Sequence, residues 1–237
     1  MRLLDEIFTR RPFFGSRRLR DELIAQGHPL GRDHVRRLME QMGLEAIYPK
    51  KSLSLPHQGH RVYPYLLRHL AIVRPDQVWC SDLTYIRLQH GFAYLVAVMD
   101  WFSRYVLAWE LSLSLEGGFC ISALQAALGI GRPGIFNTDQ GCQFTAVGFT
   151  GVLAEAQVQI SMDGKGRAFD NIMIERLWRT VKYEEVFLKD YGHLFAARES
   201  LGEYFAFYNE ERRHSSLDGQ TPAAVYWQGR TRAAKAG

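Results

Sequence analysis

Apolar residues recur at helical spacing over the first 45 positions, at strand spacing between 78 and 111, and at helical spacing again beyond 116. Over 16–26, Leu19, Leu23 and Ile24 gather on one side and the run stops at Gly27 and Pro29, which predicts a short helix. A second helix is predicted over 32–42. Val35, Leu38 and Met39 face inward, and Arg32, Arg36 and Arg37 face outward with His34 nearby. Two short helices broken by a glycine-containing turn, the second rich in arginine, suit a helix-turn-helix. A helical hairpin with a merely basic surface is the plainer alternative. So small a pair has little core of its own, so a third helix over 3–8 is expected to pack on it. From 46 to 74 the periodicity fades into prolines, lysines and glycine, and the stretch reads as a basic, semi-rigid linker.

Three runs rich in aromatic and β-branched residues follow, at 78–87, 92–99 and 105–111. Their links are short, so they predict an antiparallel meander, and the second run, apolar on both faces, should be central. The remaining pattern predicts a helix over 116–128, a strand over 135–138 ending at Asp139, a helix over 147–155 and a brief strand over 158–160. A long amphipathic helix comes next, announced by Asp170 and Asn171 as turn and cap residues. Ile174, Leu177, Trp178 and Val181 form its apolar stripe at i, i+3, i+4, i+7. Glu175, Arg179 and Lys182 form a second stripe, roughly 110° round the helix. The sum is an α/β architecture, a mixed sheet with helices on both faces.

Composition narrows the setting. The chain has 237 residues, 47% hydrophobic and 23% charged, enough for one medium domain and a small appendage. No apolar run reaches the roughly 18 residues a membrane span needs, and the first residues do not form a secretory signal, so a cytoplasmic protein is expected. Cys80, Cys120 and Cys142 form no Cys-x-x-Cys pair, which argues against a disulfide framework or a zinc knuckle. His57 and His60 lack cysteine partners for a metal site. The net charge of +4 is uneven: residues 1–75 carry 14 Lys/Arg against 7 Asp/Glu, and the remainder 15 against 18. A basic N-terminal third on a near-neutral body suggests a polyanionic partner, most simply nucleic acid.

Three acids complete the picture. Asp82 sits in the middle of a predicted buried strand, where an acid is costly unless it caps neighbouring amides, is paired or binds a cation. Asp139 ends the fourth strand before Gln140 and Gly141; alone it reads as a turn, but open α/β sheets also build sites at strand carboxyl ends. Glu175 alone reads as an ion-pair partner of Arg179 or Lys182. If the fourth strand pairs beside the first, the two aspartates converge and the long helix can lay Glu175 opposite them. Three carboxylates so gathered raise each other's pKa, and hard divalent cations such as Mg²⁺ remove the conflict. Two such ions support an in-line phosphoryl displacement.

The spacing, 56 residues between Asp82 and Asp139 and 35 between Asp139 and Glu175, resembles that of the DDE transposase and retroviral-integrase superfamily. The strings Trp79-Cys-Ser-Asp82-Leu-Thr-Tyr, Asn137-Thr-Asp139-Gln-Gly-Cys-Gln-Phe-Thr and Asp170-Asn171 with Glu175 look like those of OrfB-type transposases of bacterial insertion sequences. So does Tyr208-Asn-Glu-Glu-Arg212-Arg-His214-Ser-Ser-Leu217 with Thr221-Pro222. Cys142 stands where a serine is common in that group, and Arg213 where a proline is common.

The resemblance implies an RNase H-like mixed five-stranded sheet flanked by helices, preceded by a small all-α helix-turn-helix module. The expected domains are the module at 1–45, a linker at 46–74, and an integrase-type core with a C-terminal helical segment at 75–230. Asp82, Asp139 and Glu175 would be the catalytic residues, holding two Mg²⁺ (or Mn²⁺) ions per active site. Lys182 would contact DNA near the scissile end, with Arg179 a weaker candidate and Arg32, Arg36 and Arg37 serving the N-terminal module. The implied activity is metal-dependent cleavage and strand transfer at insertion-sequence ends. The implied partners are the inverted-repeat ends, target DNA, further copies of the chain on DNA, and a helix-turn-helix product of an upstream reading frame. The expected setting is cytoplasmic and nucleoid-associated. Two alternatives stay open: a non-catalytic DNA-binding remnant or regulator, and a plain RNase H-type nuclease.

Overall fold

The computed structural model describes residues 1–47, 61–164 and 172–236. Asp170, Asn171, His57 and His60, and most of the first half of the expected linker, lie outside that set. The chain divides into two compact units, Met1–Leu55 and Pro56–Gly237.

The N-terminal unit consists of α1 (Arg2–Arg10), α2 (Ser16–Ala25) and α3 (Arg32–Gln41). Leu4 and Ile7 of α1 close on Leu19 and Leu23 of α2 and on Val35 and Met39 of α3, all buried. Two helix-ending glycines act through left-handed backbone. Gly27 at φ +84 lets the His28 N–H reach back to the Leu23 carbonyl at 2.9 Å, and Gly43 at φ +65 does the same for Leu44 and Met39. Both closures use last-turn carbonyls that would otherwise lack partners. The three-helix core accounts for the apolar stripe of each helix and leaves Arg32, Arg36 and Arg37 exposed on α3.

The second unit is built on a five-stranded sheet. Its strands are β1 (Val78–Arg87), β2 (Phe92–Asp100), β3 (Val106–Ser112), β4 (Ile135–Thr138) and β5 (Gln159–Met162), in the order β3-β2-β1-β4-β5. The first three strands form the antiparallel meander, while β1–β4 and β4–β5 are parallel. The parallel pairs require crossovers. These are supplied by α4 (Gly118–Leu128) and by α5 (Cys142–Thr145) with α6 (Val147–Glu155).

Those crossover helices cover one face, where Leu124, Phe144, Phe149 and Leu153 meet Trp79, Val96, Val98 and Phe136. The other face is covered by α7 (Ile172–Glu184) and α8 (Leu194–Glu210). Ile174, Leu177, Trp178 and Val181 lie there against Cys80, Ala97 and Met99, as the helical stripe anticipates. Each such aliphatic burial is worth roughly 1.5–3 kcal/mol. Last, α9 (Pro222–Ala236) packs on α8 and sends buried Tyr226 toward the α4 side. β2 is buried along nearly its whole length because it is central and covered on both faces.

Two features depart from the periodicity. The short helix α5 follows Gly141 where only a turn is legible. Residues 63–67 of the expected linker are packed chain: Met162 N–H donates to the Pro64 carbonyl at 3.4 Å, Leu66 N–H to Ser161 Oγ at 3.0 Å, and Leu67 is buried. β5 is an edge strand, and this arm covers its free backbone groups. Among the described residues no helix is long and apolar enough to cross a membrane.

Candidate active site

Asp82 is central in β1 with respect to β2, its partner there being Ala97. Relative to β4 it lies beyond the end of the ladder, whose last pair is Cys80 with Asn137. That difference explains how an acid occupies the middle of a strand: one side is a continuous sheet, and the other opens past the end of β4. Carrying the parallel register two residues further sets Asp139 beside Asp82. Strand alternation turns Asp82 to the same face as Cys80 and Ile86, the face that α7 covers.

Each aspartate carboxylate is held by a specific donor. Trp178 Nε1 donates to Asp82 Oδ2 at 2.9 Å. The Gly141 N–H donates to Asp139 Oδ1 at 2.9 Å, an Asx-type turn that directs the chain into α5. The exit of β4 is tied to that of β5, since Gln140 Nε2 donates to the Asp163 carbonyl at 2.7 Å and Asn137 Nδ2 to Asp163 Oδ1 at 2.9 Å. Glu175 is exposed in the first turn of α7.

Electrostatics link the three acids. Burial pushes the Asp82 carboxyl up to about 6, and the charges of Asp139 and Glu175 push the same way. The Leu83 N–H and the Trp178 indole oppose them. Asp139 is also raised, by burial, against the Gly141 N–H. No cation is among the groups that shift either aspartate. The donors are all hard carboxylate oxygens, the set that suits a divalent cation such as Mg²⁺ or Mn²⁺. Among the described residues no three His, Cys, Asp or Glu side chains form a group able to hold a metal ion. The acids therefore act on one another at field distance, a separation that like charges favour.

Lys182 is half-buried on α7, seven positions beyond Glu175, and Arg179 is exposed with its guanidinium 5.9 Å from the centre of the Tyr183 ring. Arg36 makes only an exposed 3.7 Å ion pair with Glu40, a contact of little energy. Arg32, Arg36 and Arg37 belong to the N-terminal unit. Arg212 binds Glu184, at the end of α7, through two hydrogen bonds of 2.8 and 2.6 Å, which docks the C-terminal segment on the core. Two site features escape a reading of the chain: the indole donor of Trp178 and the amide of Gly141. The first has a faint signal, since Trp178 stands only 60° from Glu175 at 100° per residue. The second is hidden in what looks like an ordinary Asp-Gln-Gly turn.

The fold and the paired aspartates define an integrase-type core of the RNase H-like class. Residues 73–168 and 156–222 match two models described as integrase core domain, and residues 1–52 match an HTH-like domain. The chain is 33% identical over 225 residues to the insertion element IS600 uncharacterized 31 kDa protein of Shigella sonnei, covering 90% of this chain and 81% of that one. It is 31% identical over 227 residues to transposase InsF for insertion sequence IS3A of Escherichia coli strain K12, covering 91% and 77%. The fold is shared with the HTLV-2 integrase catalytic core domain in its trimeric magnesium complex (TM-score 0.53, 22% identity, 65% of this chain and 98% of that one). It is shared too with a simian T-cell lymphotropic virus intasome bound to PP2A regulatory subunit B56 gamma (TM-score 0.56, 14% identity, 94% and 74%). The chain belongs to the insertion-sequence transposases with an integrase core.

Proposed function

We propose that this protein cleaves DNA strands at the ends of an insertion sequence and joins the freed 3′-hydroxyl to target DNA, with Asp82, Asp139 and Glu175 holding two divalent ions. The observation that carries this reading is the juxtaposition of Asp82 with Asp139 past the end of the β1–β4 ladder, with Glu175 close enough to raise the Asp82 carboxyl. Bound divalent ions would lower the pKa of a water or a 3′-hydroxyl and offset the charge that grows on the phosphoryl oxygens. The chain's own residues do the rest. Trp178 fixes Asp82, the Gly141 amide fixes Asp139, and Glu175, exposed in the first turn of α7, draws in from that helix. Lys182 and Arg179 flank that acid and hold the DNA strand by its phosphates, while Arg32, Arg36 and Arg37 grip duplex DNA through the N-terminal module. The expected partners are the inverted-repeat ends, target DNA, further copies of the chain assembled on two ends, and the upstream-frame helix-turn-helix product.

Purified protein with Mg²⁺ or Mn²⁺ should join a pre-cleaved element end to target DNA, and Asp139→Asn should abolish the joining. Joining that survives this substitution removes Asp139 from the site. Retained DNA binding with no joining under any divalent ion would favour the non-catalytic remnant.

A further inference from the structure

A cavity of about 370 Å³ opens on the side of α7 away from the carboxylates. Its α7 wall is Met173, Arg176, Leu177 and Thr180, which sit roughly 100–200° round the helix from Glu175 at 100° per residue. Arg104 enters from the β2–β3 turn, and Arg212, Arg213 and His214 enter from the segment after α8. Four guanidiniums line one cavity, and among the described residues no carboxylate lines it.

Their partners show how much of that charge is compensated. Arg212 is neutralised by Glu184, and Arg213 donates to the Gly219 carbonyl at 2.9 Å. Arg104 and Arg176 make no ion pair among the described residues. Among the described residues Arg104 makes one side-chain hydrogen bond, to the weakly accepting Met173 sulfur at 3.1 Å, and its buried Nε has no partner. Burial above all, and Arg176 after it, disfavour the Arg104 charge, with the Tyr208 and Cys80 side chains opposing them. Arg104 also sits at φ 66, a left-handed conformation uncommon for any residue but glycine, so the turn holds this side chain in place at some backbone cost. The positive field registers on the cavity's own lining: burial, then Arg212 and Arg104, hold the His214 imidazole down to about 4. A half-buried cation with an orphaned N–H beside a second, exposed cation is costly unless an anion completes the pair.

We propose that this cavity is a phosphodiester pocket that takes one backbone phosphate of a DNA strand between Arg104 and Arg176. Its volume exceeds what a bare phosphate fills, and Tyr208 and Met99 give it an apolar wall suited to a deoxyribose. Ser215 and Ser216 at the mouth add hydroxyl donors. A helix with its side chains is about 10 Å across, so a strand gripped here passes the carboxylates within a few nucleotides. The pocket rests on the DNA-joining reading above, and it would set the path of the strand rather than take part in bond breaking.

The test uses the full chain and a random-sequence duplex, with affinity measured by fluorescence anisotropy across a KCl series. Arg176 is exposed, so Arg176→Gln should fold normally; it should bind roughly 3- to 10-fold more weakly and lower the salt slope by about 1. Arg104→Gln should do the same, and Arg176→Lys should restore the slope. Unchanged affinity and slope in Arg176→Gln, with an unchanged melting temperature, would overturn the proposal. A melting-temperature rise in inorganic phosphate that Arg176→Gln loses, without any change in DNA affinity, would also overturn it in favour of a small-anion site. The outcomes separate from those of the joining assay: weakened binding in Arg176→Gln with no joining by the wild type keeps the pocket and removes the DNA-joining reading, and the converse removes only the pocket.

Discussion

The indole of Trp178 donates a 2.9 Å hydrogen bond to Oδ2 of Asp82, across 96 positions of chain. The same side chain lies in the apolar stripe that seats α7 on the sheet. One residue thus couples the docking of the helix to the orientation of the strand carboxylate. It also sets where Glu175, three positions before it on α7, stands relative to Asp82, whose carboxyl that acid raises.

Trp178→Phe should keep most of the packing and remove the donor. The indole bond favours the ionised form of Asp82, so its loss moves that carboxyl further above about 6. The acid limb of the strand-transfer pH profile should shift upward. Stability should fall by about 1–3 kcal/mol at pH 8, and by less at pH 5 where Asp82 is protonated. Chemical denaturation at the two pH values checks the second part, and a pH–rate profile the first.

Asp82→Asn should stabilise the metal-free protein at neutral pH. The folded Asp82 titrates near 6 against 3.8 for the ordinary group, so the native state binds more protons than the unfolded one between those values. Stability from this group is fully present below pH 4 and is lost as pH rises through 6. The variant should therefore be more stable than the wild type at pH 7, by about 1–3 kcal/mol, and equal to it near pH 4. Asp100, also pushed up to about 6 by burial, titrates in both proteins and cancels in the difference. Mg²⁺ at tenfold its dissociation constant should restore about 1.4 kcal/mol to the wild type and almost nothing to the variant. Melting temperatures with EDTA and with Mg²⁺ read all three effects.

Gly141→Ala should separate activity from stability. Gly141 has an ordinary backbone at φ −59 and ψ 148, so the substitution brings no dihedral strain. An added Cβ would lie 2.9 Å from Asp139 Oδ1, the movable end of a side chain. The carboxylate shifts and the fold persists. Strand transfer should fall on the order of 10- to 100-fold, with a melting temperature close to wild type.

Arg37→Ala on α3 should weaken binding to duplexes of any sequence about equally and lower the salt slope by about 1. Val35 and Met39 carry the packing of α3, so the fold of the three-helix unit should be unaffected. An equal salt slope in wild type and variant would take this arginine out of the DNA contact.

Much of the secondary structure is legible because its causes are local. The apolar stripe of α7, the stop at Gly27, and the double-sided hydrophobicity of β2 are each set by residues within one or two turns or strands. The two aspartates were visible as oddities, an acid within a strand and an acid at a strand end. Their pairing was conditional on β4 lying beside β1, and strand order is a property of the whole sheet. The packing of the arm at 63–67 leaves no local signal, because its partner, β5, lies nearly a hundred residues away.

The sequence by itself determined the elements, the basic N-terminal module and the three acids, since periodicity, turn chemistry and charge are carried by neighbours along the chain. The tertiary structure decided which groups hold those acids. The Trp178 indole reaches Asp82 only when α7 lies across β1, and the raised Asp82 carboxyl arises only where burial and the charges of Asp139 and Glu175 coincide. It also decided that Arg104, Arg176 and the Arg212–His214 segment share one cavity. Hydrogen bonds and desolvation depend on distance in space, and the chain order of these residues does not encode it.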